Sequence, residues 1–193
     1  MNILKSALLI SLSTSLLLAA PQSKQKDELA KVIKTGQKSS KLLIQTLGKK
    51  MKGKLKKGGA MVALDFCANE AYNITEKVNK KLPKGVRVKR ISSKYRSPAN
   101  APKGNELAVL ESFEKLKSSN VILPKQLVEQ IDANTYKYYK PLVMNNKACL
   151  KCHGKIKDVE LRRAIKERYP LDTATDYEFG ELRGAVVVTI KRK

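Results

Sequence analysis

The chain has 193 residues, with 40 Lys and Arg against 17 Asp and Glu, a formal charge of +23, a single His and three Cys. Its length suits one domain with a genuine core, and 42% hydrophobic with 30% charged residues is a globular composition. The lone His excludes every site that needs a pair of imidazoles, among them bis-histidine haem, His-rich zinc and the HExxH proteases. No Ser/His/Asp or paired-carboxylate constellation is visible, so an enzymatic role has no evident residues.

Residues 1–20 open with Lys5 and continue as an apolar stretch, Ala7 to Ala20, that gives way at once to PQSKQKDE. Fourteen apolar residues fall short of the roughly 20 that cross a bilayer as a helix. The pattern is that of a secretory signal peptide, which predicts export to the periplasm. Loss of this segment removes only Lys5 and leaves +22. Export disfavours nucleic acid as a partner and favours an acidic protein or an anionic membrane surface.

The charge is concentrated. Lys24 to Lys57 holds 12 Lys against Asp27 and Glu28 alone. Leu29, Val32, Ile33, Leu43, Leu47, Met51 and Leu55 recur there at three- and four-residue spacing, which predicts a Lys-rich amphipathic helix over 21–58. Gly36, Gly48, Gly53 and the Gly58-Gly59 pair are expected to weaken or break it. A second helix follows, AMVALDFCANEAYNITEKVNKKL, with Cys67 inside it, ending before Pro83.

VRVKRIS has the alternation of a strand, and SKYRSPANAPKGNE is loop. Helix returns over Glu106–Lys117. Asn134–Met144 reads as a strand in which Tyr136, Tyr138 and Tyr139 pack the sheet. A short helix starts after Asp158, a plausible N-cap, and stops at Tyr169 before Pro170. The β-branched run Gly184–Ile190 is a buried closing strand. Helices first and strands later, without βαβ alternation, give an α+β fold around a small antiparallel sheet.

Cys149-Leu150-Lys151-Cys152-His153 is CxxCH, the attachment motif of c-type haem. Thiols three residues apart reach the two vinyl groups of one porphyrin, and the adjacent imidazole becomes the proximal iron ligand. A disulfide, a thioredoxin-like pair or half a zinc site could also use CxxC, but none explains His153 directly after Cys152. With the only His spent, the opposite iron position is left to Cys67, Met51, Met61, Met144, a Lys, water or nothing. Arg90 or Arg96 could pair with a haem propionate through forked hydrogen bonds.

The segments DFCANEA, RISSKYRSPANAP, CLKCHG and YPLDTATDYEFGELRGAVVV, in this order, resemble a family of exported single-haem c-type domains with a PAS-like fold, long described as a domain of unknown function. The likeness spans about Lys41 to Ile190. It implies Cys67 as the axial ligand opposite His153, one covalently attached haem c, and a PAS-like antiparallel sheet with long N-terminal helices. It also implies redox or small-ligand sensing more than bulk electron traffic. The alternative is a soluble monohaem cytochrome that passes electrons to an acidic partner. Asp176 departs from the family's AxGY pattern, which expects Gly there. The expected organisation is thus a signal peptide over 1–20, the Lys-rich helix over 21–58 and a haem-binding domain over 59–193.

Overall fold

The computed structural model describes residues 19–192, with side chains from Lys24 onward. Residues 1–18, most of the predicted signal peptide, lie outside the described part.

Five α-helices and four strands follow in the order α1 Ala19–Asn69, α2 Ala71–Asn79, β1 Val86–Ile91, α3 Glu106–Ser118, β2 Leu127–Gln130, β3 Thr135–Val143, α4 Lys147–His153, α5 Val159–Arg168 and β4 Leu182–Lys191. A short 3-10 turn, Pro98–Asn100, lies between β1 and α3. The strands form one antiparallel sheet in the order β1-β4-β3-β2, which is the α+β arrangement expected. No described helix is long and apolar enough to cross a membrane.

β4 is central and buried on both faces, which is why its sequence is an almost continuous β-branched run rather than an alternating one. Val186, Val188 and Ile190 face α1 and α2, packing with Val32, Leu43, Phe66, Ile74 and Val78. Ala185 and Val187 face α3, packing with Leu110 and Phe113. The tyrosines divide the same way: Tyr138 belongs to the first layer and Tyr139 to the second. A third cluster joins Leu64 of α1 to Leu161, Ala164 and Ile165 of α5.

The break expected at the Gly58-Gly59 pair is present: α1 is two helical stretches joined across a kink there, where the backbone leaves helical φ/ψ. Three other local expectations change. Gly36 does not break α1. It lies against the Tyr138 ring, where any Cβ would clash, so close helix–sheet approach explains it. The predicted second helix is divided at Glu70, leaving Cys67 near the end of α1. β2 and α4 were not expected as regular elements: β2 is a four-residue edge strand with little alternation, and α4 is only two turns.

Candidate functional site

CxxCH forms α4, immediately after β3. Asn146 caps it, its side chain accepting from the Ala148 N–H at 2.9 Å. Gly154 ends it, donating its N–H to Leu150 O at 2.9 Å, in a position where a Cβ would strike that same carbonyl. Cys149, Cys152 and His153 therefore project from one short helix whose two ends are fixed by its own sequence.

His153 Nδ1 lies 2.8 Å from the carbonyl oxygen of Ala174. A carbonyl only accepts, so Nδ1 carries the proton and Nε2 keeps its lone pair. Burial, and then the charges of Arg183 and Arg96, hold the imidazole well below its ordinary pKa and therefore neutral. Tyr177 meets the ring edge-on at a centroid distance of 6.4 Å. Tyr177 in turn lies under Lys94 Nζ, 4.5 Å from its centroid, and beside the Arg183 guanidinium at 5.3 Å.

Arg96 ties α4 to the loop that holds Ala174. Its Nη2 donates to Cys152 O at 2.7 Å and Ala174 O at 3.1 Å, and is 3.1 Å from Asp172 Oδ2. Asp172 also accepts the Ala174 N–H at 2.8 Å. The pair is buried on both sides. Arg183 braces the opposite flank, donating to Ser92 Oγ at 2.7 Å and Lys94 O at 2.9 Å.

Cys67 reaches the same place from α1. Burial pushes its thiol up, Arg90 pulls it down, Cys152 pushes it up and Arg96 pulls it down, so Cys67 lies within electrostatic reach of all three. Burial likewise raises Cys149 and Cys152, and the three thiols are unpaired. Arg90 is half-buried, and its Nε, like that of Arg96, is shielded from solvent with no hydrogen-bond partner among the described residues. Arg90 is also one of the residues lining a groove of 740 Å³ between α2, β1 and residues 99–103. Tyr169 completes the surround, its hydroxyl raised by burial and by Cys67.

Of the residues named from sequence, Cys149, Cys152 and His153 share α4, Arg96 donates to Cys152 O, and Cys67 feels the charges of Arg90, Arg96 and Cys152. Met61 is exposed, Met51 packs with Cys67 against the main core, and Met144 packs with Ala174, Tyr177 and Cys149 on the α4 side. Among the described residues, no three or more His, Cys, Asp and Glu side chains group as a metal cluster. Arg183, Tyr177 and Tyr169 were missed as site residues. Their sole sequence signal is membership of the YPLDTATDYEFGELRG segment.

Residues 18–191 match the family model described as Tll0287-like. No curated protein matches the chain. Among solved structures, the cyanobacterial haem protein Tll0287 matches over 86% of this chain and 96% of its own, with a TM-score of 0.58 and 24% identity, a likeness of fold. The resemblance read from the DFCANEA, RISSKYRSPANAP and CLKCHG segments is borne out: the chain belongs to the Tll0287-like family.

Proposed function

We propose that this protein binds one haem c, attached through Cys149 and Cys152, with His153 and Cys67 as the two axial ligands, and that it works outside the cytoplasm as a redox or small-ligand sensor. The observation that carries the reading is the His153–Ala174 hydrogen bond. It presents a neutral imidazole whose Nε2 is free, on the same helix as two unpaired thiols, one of which, Cys152, acts electrostatically on Cys67. The likeness of fold to a solved haem protein agrees with this.

The residues fit the group. Arg90 and Arg96 each hold a buried Nε without a partner, suited to a propionate carboxylate, while the Nη2 of Arg96 is already committed to Cys152, Ala174 and Asp172. Bound haem supplies a redox-active iron. The Ala174 carbonyl orients the proximal imidazole and raises its basicity. Tyr177 and Arg183 pack around that ring and keep water from it. Cys67 would offer bound haem a strongly donating sulfur, favouring a low potential, and a thiol of this kind is itself open to protonation and oxidation. It lies three residues before the Glu70 junction, so a change at its sulfur bears on the joint between α1 and α2.

The test is expression with a c-haem maturation system, followed by a pyridine haemochrome spectrum and haem staining on a denaturing gel. Covalent stain is expected for the wild type and is lost in Cys149→Ser/Cys152→Ser; an unstained wild type overturns the reading. The cationic surface favours a second reading, a carrier passing electrons to an acidic protein. Potentiometric titration separates the two: a high-potential, six-coordinate centre indifferent to carbon monoxide sinks the sensor.

A further inference from the structure

The sheet-facing side of α1 is fully used. Val32, Leu43 and Leu47 are core, and Gly36 meets Tyr138. The opposite side carries a line of exposed lysines, Lys31, Lys34, Lys38 and Lys41, continued by Lys49, Lys52 and Lys56. Their three- and four-residue steps, with one longer gap at Gln45 and Gly48, keep them on one stripe. At 1.5 Å per residue the stripe runs roughly 38 Å. It lies wholly on the straight part of the helix before the kink at Gly58. None of these seven lysines makes an ion pair among the described residues; of the acidic residues near the start of the line, Glu28 is paired with Arg192 and Asp27 makes no ion pair among the described residues.

We infer that this stripe is a docking face for an anionic lipid bilayer, with α1 lying flat on the surface and the sheet and the Cys67–His153 region held on its far side. Charge complementarity and shape carry the inference. A straight cationic line suits a continuous plane of negative headgroups, to which each Lys contributes about a fivefold gain in partitioning. A protein partner is less well matched. Binding hot spots on proteins are built from Trp, Tyr and Arg, and interface cores are depleted of Lys; this stripe is Lys throughout, without Arg or an aromatic residue. Nor does α1 insert, since no described helix is apolar enough to span. Docking through this face does not depend on the cofactor, because α1 is held on the sheet by its own apolar face.

The test is vesicle co-sedimentation of the full chain. The probes are neutral phosphatidylcholine vesicles and the same vesicles carrying roughly one-third phosphatidylglycerol. The apolar 7–20 segment adds to both lipids alike, so the anionic-to-neutral ratio reads the stripe. Strong preference for the anionic vesicles is expected, lost between ~50 mM and ~500 mM salt as screening shortens. Replacing Lys31, Lys34, Lys38 and Lys41 by Gln should lower the ratio by nearly three orders of magnitude, about 600-fold. The same charge change at the exposed Lys80, Lys81, Lys84 and Lys125 should leave most of it. Circular dichroism checks that both variants fold. Equal binding to the two lipids, equal losses in the two variants, or capture by an acidic polypeptide but not by anionic vesicles would each overturn the inference.

Discussion

The imidazole of His153 is oriented by the main chain of Ala174, 21 residues further on, through a 2.8 Å contact at Nδ1. That carbonyl is in turn held by Arg96 Nη2 at 3.1 Å, and Arg96 is held by Asp172. The aim of the ring therefore depends on a buried ion pair that touches neither the ring nor any ligand.

Asp172→Ala tests this chain of contacts. It leaves the Arg96 guanidinium buried without its counter-charge and frees the Ala174 N–H, a change that costs about 3 kcal/mol in comparable buried pairs. Urea unfolding should show that loss. A loss below about 1 kcal/mol would mean the pair does not secure the loop.

Cys67→Ala addresses the second ligand proposed above. Alanine suits a helix and removes only the sulfur, so the fold should survive with a loss of about 1 kcal/mol. The ferric absorption and magnetic resonance spectra should change from those of a thiolate-ligated low-spin centre, and the potential should rise. Spectra identical to the wild type would remove Cys67 from the iron.

Glu106, only 1% exposed, accepts from Lys89 Nζ at 2.7 Å and from the Lys103 N–H at 2.8 Å, and pairs with Lys137 Nζ at 3.1 Å. Burial alone would raise its pKa, but these donors outweigh it and hold the carboxyl below the ordinary 4.5. A depressed folded value stabilises the protein above the ordinary one, and that contribution disappears as pH falls through the folded value. Glu106→Gln should therefore cost about 2 kcal/mol at neutral pH, and the gap to wild type should narrow in acid. A gap independent of pH in urea titrations would assign the cost to packing instead.

Asp176 has φ +62°, the left-handed region that favours glycine, with its N–H bonded to Gly154 O at 3.2 Å. The turn expected of a Gly at this position thus forms with Asp in its place. Asp176→Gly should relieve strain and raise stability by up to about 1 kcal/mol, while Asp176→Val should lower it by about 1–2 kcal/mol. Thermal unfolding reads both; a stabilising Val would show that the backbone is not strained there.

The parts legible in the sequence are those whose cause is local. The spacing of Cys149, Cys152 and His153, the Asp158 cap, the β-branched β4 and the three- and four-residue apolar rows of α1 and α3 each follow from neighbours within a turn or a strand. The chain alone therefore determined most of the elements, the helix break at Gly58-Gly59 and the CxxCH spacing on which the proposed haem chemistry rests. It could not say that Gly36 leaves its helix intact, because its role shows only when Tyr138 lies against it. Nor could it show that Arg96 pairs with Asp172 while the Nε of both Arg90 and Arg96 stays unanswered, or that Tyr177, with Arg183 beside it, meets His153. Those facts depend on contacts between residues tens of positions apart, which close only when β4 pairs with β1 and β3 and brings the 172–183 segment back over α4.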